Sequence, residues 1–287
     1  MNIKKGIILA GGTGSRLYPL SIVINKHLLP ISGKPMIYYP LSILMLSGIK
    51  DVLIISSNQD INHFKKLLGN GANLGIKISY EVQMKPSGIA EAFLIGEKFI
   101  GRKPVSLILG DNIFHGFGFA QLAKKLTKKI SGVRLISQQV IQPNRYGVIK
   151  YDKLKRPIKI VEKPKKFISN DAVTGYYHFD ENVCNLANKI KPSKRNELEI
   201  SDLINLYFEN KNAEVFFLNR GTVWFDAGTP QSLIDANLYI NTLEQRQGIG
   251  ICCPEEVAYF KKFISLEDLE KFKKKIKNTD YIKYFSR

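Results

Sequence analysis

Gly6-Ile7-Ile8-Leu9-Ala10-Gly11-Gly12-Thr13-Gly14-Ser15-Arg16-Leu17 is an apolar run that ends in a glycine-rich loop carrying one arginine. A short apolar run bounded by glycines reads as a strand buried on both faces, the kind that parallel sheets contain. The glycines beyond it let the backbone curl and turn its N–H groups toward an anion. Two familiar glycine-loop patterns fail. A dinucleotide fingerprint beginning at Gly12 needs glycine where Leu17 stands, and a Walker A loop needs Gly-Lys-Ser/Thr where Arg16 follows Ser15. A plain tight turn is the alternative. Arg16, with Lys26 in Asn25-Lys26-His27-Leu28-Leu29-Pro30, favours phosphate binding, since two cations offset charge growing on a departing phosphate group.

Outward from this loop, the first half of the chain alternates strand-like and helical patterns. Strands are predicted at Lys5–Leu9, Asp51–Ser56, Ile76–Val82 and Val105–Leu109, with helices at Pro35–Ser47, Ile61–Leu68 and Ile89–Phe99. Pro35 in the first turn and Gly48 after the last suit helix punctuation. The rhythm predicts an α/β fold: a Rossmann-like, mixed but largely parallel central sheet with helices on both faces. Ligands in such sheets gather beyond the carboxyl ends of the strands, so the loops after Leu9, Val82 and Leu109 are expected to converge. Further strands are predicted at Leu135–Val140, Tyr146–Tyr151, Ile158–Val161 and Val173–Phe179, punctuated by Pro143, Pro157 and Pro164. Helices near Glu181–Ile190 and Ile200–Glu209 and strands at Ala213–Leu218 and Thr222–Phe225 follow, and from Gln231 the pattern is a helical C-terminal extension. The division expected is residues 1–230 and 231–287.

The charge is unusual: 43 Lys+Arg against 25 Asp+Glu give +18 over 287 residues. Only nine of the 43 are arginine, the residue suited to bidentate contact with phosphates and bases, and the excess is spread along the chain. The densest run, Lys271-Phe272-Lys273-Lys274-Lys275-Ile276-Lys277, reads as the solvated face of a terminal helix. No nucleic-acid partner is expected. No apolar stretch is long enough to span a bilayer, and the N-terminus runs into a strand rather than a secretory h-region, so a cytoplasmic protein without membrane partners is expected. Three cysteines, two of them adjacent, and four histidines without ligand spacing argue against a disulfide framework or structural zinc.

Two hydrophobic strands end in aspartate. Leu107-Ile108-Leu109-Gly110-Asp111-Asn112 is one, and Trp224-Phe225-Asp226-Ala227-Gly228-Thr229 is the other. Mg²⁺ takes one or two carboxylates together with substrate phosphate oxygens and water, so Asp111 and Asp226 suffice for it; alternatively each caps a following turn or helix. Glu162-Lys163-Pro164 offers a cation for a second phosphate. Tyr146-Gly147-Val148 and Val173-Thr174-Gly175-Tyr176-Tyr177 mix aromatics, glycine and hydroxyls in a way that suits a sugar-binding wall.

Together these segments strongly resemble the sugar-1-phosphate nucleotidylyltransferases, and among them the glucose-1-phosphate thymidylyltransferase family of dTDP-rhamnose synthesis. The resemblance runs from Lys5 to the last helices. It rests on Gly11-Gly12-Thr13-Gly14-Ser15-Arg16-Leu17, Lys26-His27-Leu28-Leu29-Pro30, Lys34-Pro35-Met36-Ile37-Tyr38-Tyr39-Pro40 and Gly110-Asp111-Asn112-Ile113-Phe114. Arg145-Tyr146-Gly147-Val148, Glu162-Lys163-Pro164, Glu197-Leu198-Glu199-Ile200 and Glu244-Gln245-Arg246-Gln247-Gly248 match as well. It implies that a phosphate oxygen of glucose 1-phosphate attacks the α-phosphorus of dTTP in a Mg²⁺-dependent step; a uridylyltransferase, or a thymidylyltransferase for another hexose 1-phosphate, is the alternative.

The resemblance makes Arg16, Lys26, Asp111, Lys163 and Asp226 the catalytic residues, with Asp111 and Asp226 on the metal. Leu9, Gly11, Gly12, Thr13, Gly14, Ser15, Arg16, Gln83, Pro86, Gly88 and Asp111 would bind the nucleotide. The Gln83 amide has both the donor and the acceptor that a pyrimidine O4/N3–H edge requires. Leu109, Asn112, Tyr146, Gly147, Glu162, Lys163, Val173, Tyr177 and Trp224 would bind the sugar phosphate. A homotetramer and feedback by dTDP-rhamnose at a second site, with Pro254-Glu255-Glu256 and Arg220 contributing, are also implied. His27, His115, His178 and Phe225 depart from the family's usual residues, His27 being nearest the catalytic set.

Overall fold

In the computed structural model, which describes residues 1–285, the chain runs β1 (Lys5–Leu9), β2 (Pro30–Ile31), β3 (Lys34–Pro35), α1 (Tyr38–Leu46), β4 (Asp51–Ser56), α2 (Ile61–Leu68), β5 (Lys77–Val82), α3 (Glu91–Ile95), α4 (Glu97–Ile100) and β6 (Val105–Leu109). Then come β7 (Asn112–Gly116), α5 (Phe119–Leu126), β8 (Val133–Gln139), β9 (Gly147–Tyr151), β10 (Pro157–Glu162), β11 (Asp171–Phe179), α6 (Val183–Ala187) and α7 (Ile200–Glu209). β12 (Ala213–Phe217), β13 (Thr222–Asp226), α8 (Pro230–Gln247), α9 (Pro254–Phe260) and α10 (Leu266–Ile276) complete it. Ser286 and Arg287, the last residues of the expected C-terminal region, lie outside the described residues.

The main sheet has the order β10-β9-β11-β6-β1-β4-β5, with β8 beside β11 and β12 beside β8. β6, β1, β4 and β5 are mutually parallel, β12 is parallel to β8, and only β10 and β11 run against the rest. The central strands alternate between two apolar cores. Ile8, Ile54 and Ile108 face one, which α1, α2 and α5 cover, while Ile7, Leu53 and Leu107 face the other, which α3, α6 and α7 cover. Burial on both faces explains why these strands read as continuous apolar runs.

Three local expectations change. Pro35 lies in β3 rather than in the first turn of a helix; α1 starts at Tyr38, and the proline in its first turn is Pro40. The reason is tertiary: Met36 N–H donates to Leu29 O and Ile37 N–H to His27 O, which keeps that segment on the preceding hairpin. The helix expected over Ile89–Phe99 is interrupted at Gly96, where an added Cβ would sit 2.9 Å from Ala92 O and 3.1 Å from a Leu53 methyl. β7 is an unexpected strand. It pairs antiparallel with β13, bringing Asp226 opposite Asn112.

The C-terminal helices pack back onto the sheet's partners. α9 lies against α1, and α10 shows Lys271, Lys274 and Lys275 to solvent while Leu269 is buried, as a solvated helix face requires. No helix among the described residues is long and apolar enough to cross a membrane.

Candidate active site

A cleft of about 300 Å³ opens where the loops after β1, β5 and β6 meet. The expected convergence follows from the strand order: β1 has β6 on one side and β4 on the other, so the chain crosses over at the point where a crevice forms. Leu9, Gly11, Gly12 and Arg16 line it from the first loop, Gln83, Pro86 and Gly88 from the second, and Leu109, Asp111 and Asn112 from the third. Lys26, Tyr146, Gly147, Glu162, Lys163, Val173, Tyr177, Trp224 and Asp226 line the same cleft. Thr13, Gly14 and Ser15 are not in the lining. They form the bend that carries Arg16 inward, with Gly14 at φ 59° and Leu17 N–H donating to Gly14 O at 2.8 Å.

Two carboxylates and two cations meet at one end. Lys26 forms an ion pair with Asp111, both largely shielded from solvent. Burial alone would raise the Asp111 carboxyl; the Lys26 charge and hydrogen bonds from Lys26 and Asn112 outweigh it and hold Asp111 well below the usual carboxylate range. Asp226 moves the other way, pushed up by burial and then by the Asp111 charge, against the pull of Arg16, Lys26 and Arg145. The Arg16 guanidinium packs over Gly228: an added Cβ there would lie 2.7 Å from Nη2 and 2.9 Å from Asp226 Oδ1. Neither aspartate is a helix cap, although Asp226 Oδ1 does accept from Gly228 N–H at 3.2 Å in the turn that follows it. Asp111 sits in the turn between β6 and β7, and the cap of α8 is Thr229, whose hydroxyl accepts from Ser232 N–H.

The walls beside these groups are aromatic and tied together. Asn112 Oδ1 accepts from Trp224 Nε1 at 2.6 Å and from Gly175 N–H at 2.9 Å. The Trp224 and Tyr146 rings lie 5.1 Å apart, and Lys163 N–H donates to Tyr146 O at 3.0 Å. Lys163 has φ 41°, a conformation rare for a side chain with Cβ, which that hydrogen bond helps to hold. Glu162 is pushed up by burial against the opposing Lys163 charge, and burial raises Tyr177 strongly, so its hydroxyl stays protonated.

Gln83 departs from its expected use. Its Nε2 donates inward, to Glu91 Oε2 at 2.7 Å and Gly88 O at 3.3 Å, so both amide hydrogens are engaged by the protein. Oε1 lies over Gly11, where an added Cβ would be 2.5 Å away. Only the acceptor faces the glycine loop.

Sequence reasoning missed several lining residues. Arg195 is held by Glu199, with Nη2 2.8 Å from Oε2 and Nε 3.1 Å from Oε1. No local pattern marks this pair, because residues 195–199 lie in an irregular stretch before α7. Arg145, from the Arg145-Tyr146-Gly147-Val148 segment, lines the cleft over the Tyr146 ring, its Nη2 shielded and without a hydrogen-bond partner among the described residues. His27 also lines the cleft. It is buried against Gly110, Nδ1 2.8 Å from Asn25 Oδ1, and burial with the Lys26 charge lowers its pKa to about 3, so the ring is neutral near pH 7.

Comparison with known proteins gives the family. The family profile described as nucleotidyl transferase matches residues 5–242. The glucose-1-phosphate thymidylyltransferase of Xanthomonas campestris pv. campestris is 46% identical over 286 residues, spanning 100% of this chain and 97% of that one. The Neisseria meningitidis protein of the same name is 46% identical, spanning 99% and 98%. Among solved structures, a Bacillus anthracis protein described as a glucose-1-phosphate thymidylyltransferase superposes with a TM-score of 0.75 at 40% identity, covering 83% of this chain and 95% of that one. A UDP-glucose pyrophosphorylase with bound UDP-glucose gives 0.71 at 26% identity, covering 85% and 99%. The chain belongs to the nucleotidyl transferase family.

Proposed function

We propose that this cleft transfers dTMP from dTTP to α-D-glucose 1-phosphate, giving dTDP-glucose and pyrophosphate, the entry step to dTDP-L-rhamnose and related deoxysugars. A phosphate oxygen of the sugar phosphate attacks the α-phosphorus in line, and the bond from that phosphorus to the bridging oxygen breaks as pyrophosphate leaves. The observation that carries this reading is the arrangement of Arg16, Lys26, Asp111 and Asp226 in the same cleft as Lys163 and the Tyr146–Trp224 wall. Arg16 and Lys26 stabilise the charge growing on pyrophosphate, Lys163 and Arg195 hold the sugar phosphate, and Val173, Tyr177, Glu162 and Gly147 shape the hexose pocket. The nucleophile is already ionised near neutral pH, so positioning and electrostatics supply the acceleration.

The donor set fits Mg²⁺. Two carboxylates share one cleft, Asp226 pushed up by burial and then by the Asp111 charge, and one or two carboxylates together with phosphate oxygens and water are the ligands this ion takes. The ion would supply neutralisation of the phosphate oxygens.

The test is pyrophosphate release from dTTP, glucose 1-phosphate and Mg²⁺. Silence across a panel of nucleoside triphosphates and sugar 1-phosphates rejects the assignment. The second reading is a uridylyltransferase, or a thymidylyltransferase for another hexose. It is kept because the acceptor on Gln83 suits the N3–H that thymine and uracil share, and because UDP-glucose pyrophosphorylase has the same fold.

We further propose a cytoplasmic homotetramer in which residues 1–230 carry catalysis and 231–287 serve assembly and feedback by dTDP-rhamnose. Exposed Phe117 and Phe260, and Ile234 and Leu238 one turn apart on α8, are apolar surfaces available for assembly. Pro254 and Glu255 line a second cleft of about 520 Å³ with Tyr38 and Phe263, and Arg220 stands outside that lining. A monomer by light scattering at micromolar concentration overturns the assembly.

A further inference from the structure

We infer that Glu91 is a positioning residue for base selection: it fixes which end of the Gln83 amide faces the nucleotide. An amide that presents either its oxygen or its NH₂ reads different bases, and a glutamine turns its amide over readily unless a neighbour decides the matter. Here the neighbour is a carboxylate. An ionised carboxylate only accepts, so the contact of 2.7 Å between Gln83 and Glu91 Oε2 has one sense, with Nε2 donating. Gly88 O accepts the other hydrogen at 3.3 Å.

The backbone around these groups is closely packed. Gly88 has φ 105°, and a Cβ on it would lie 2.4 Å from Leu198 O, so this backbone is pressed against the irregular segment that precedes α7. Ala90 N–H donates to Leu198 O at 3.1 Å, and Glu91 opens α3 immediately after it. Gln83 itself is buried, with Oε1 over Gly11 and free of hydrogen bonds among the described residues.

The site therefore presents an acceptor to the base. Thymine and uracil bring N3–H and pair with it. Cytosine brings an unprotonated N3 and meets oxygen lone pairs against a nitrogen lone pair, which is both an unmade hydrogen bond and a repulsion. Glu91 touches neither substrate; it acts through Gln83.

This inference rests on the proposed function for its nucleotide, and the experiment separates the two. Equilibrium binding of dTTP and of dCTP is measured by calorimetry without sugar phosphate, on the wild-type chain and on Glu91→Gln and Glu91→Lys. The wild type is expected to bind dTTP at least about tenfold more tightly than dCTP, the scale of one mismatched buried hydrogen bond. Glu91→Gln, nearly isosteric and able to donate or accept, lets the amide turn and reduces that preference about tenfold; Glu91→Lys, which only donates, reduces or inverts it. A structural contact alone does not move the ratio of two affinities, so a shared loss of stability leaves the readout intact. Equal wild-type affinities, or a dTTP/dCTP ratio unchanged in both variants, overturns the inference. Pyrophosphate release by the same preparations reports separately on the transfer reaction.

Discussion

Lys34 and Glu244, far apart in the chain, form an ion pair sealed from solvent: Nζ lies 2.5 Å from Oε1, and the side chains are 0% and 1% exposed. Glu244 also accepts from Ser32 Oγ and, at 2.8 Å, from Ile251 N–H, while the Tyr284 ring lies 4.4 Å from the ammonium. α8 is thereby fastened to the hairpin that follows the Lys26 segment. Removing one partner strands a buried charge. Glu244→Ala is expected to cost about 3–5 kcal/mol in denaturant unfolding, and the double change Lys34→Met with Glu244→Leu to recover only part of it, since Ser32 Oγ and Ile251 N–H still lose their acceptor. A single variant within about 0.5 kcal/mol of wild type would contradict this.

Arg16 and Asp226 are proposed to meet charge that appears during transfer. Arg16→Ala and Asp226→Ala are each expected to lower turnover by about 100-fold or more, with the folded state retained, as circular dichroism and single-turnover assays would report. Turnover near wild type in either variant removes that residue from its role.

Gly228→Ala tests the packing of Arg16 beside Asp226. The added Cβ, at a buried glycine, would lie 2.7 Å from Arg16 Nη2 and 2.9 Å from Asp226 Oδ1, so both side-chain ends must give way and a loss of about 1 kcal/mol in stability is expected. Displacing the guanidinium and the Asp226 carboxylate from each other is expected to lower turnover about 10- to 100-fold. Normal turnover would show that the placement of Arg16 against Asp226 does not serve the chemistry.

His178 makes stability depend on pH. It is fully buried between β8 and β6, with Nδ1 2.8 Å from Ser106 Oγ; burial, and then the Arg134 charge, lower its pKa from 6.5 to about 3. Between those values the unfolded chain takes up a proton that the folded chain does not, so stability falls as pH drops below 6.5. One such group contributes about 2 kcal/mol of loss by pH 5. His178→Asn is expected to be weaker at pH 7 through lost packing but to lose less between pH 7 and 5; His27, lowered by burial in the same direction, keeps part of the slope. Identical slopes for variant and wild type refute this account.

Much of the architecture was legible because it depends on short stretches of chain. The boundaries of β1, β4, β6, α2 and α7 match the sequence reading, and the three loops converge because a parallel strand order demands it. What failed was set by distant contacts: Pro35 left its helix for a hairpin, Gly96 broke one where it meets Leu53, and β7 formed only because β13 returns to pair with it.

The amino-acid sequence by itself determined the family, the alternation of strands and helices, and most side chains that line the cleft, since glycine loops, apolar runs and terminal aspartates are local patterns. The +18 charge, prominent in composition, contributes to the cleft through a few cations: Arg16, Lys26, Lys163, Arg145 and Arg195. Only the tertiary structure decided how those groups face one another. The amide sense of Gln83, the opposite shifts of Asp111 and Asp226, and the burial of Lys34 with Glu244 depend on distances between residues that the chain brings together only on folding. Hydrogen bonds and charge interactions act through space, and their direction is fixed by the partner that arrives, not by the residue that waits for it.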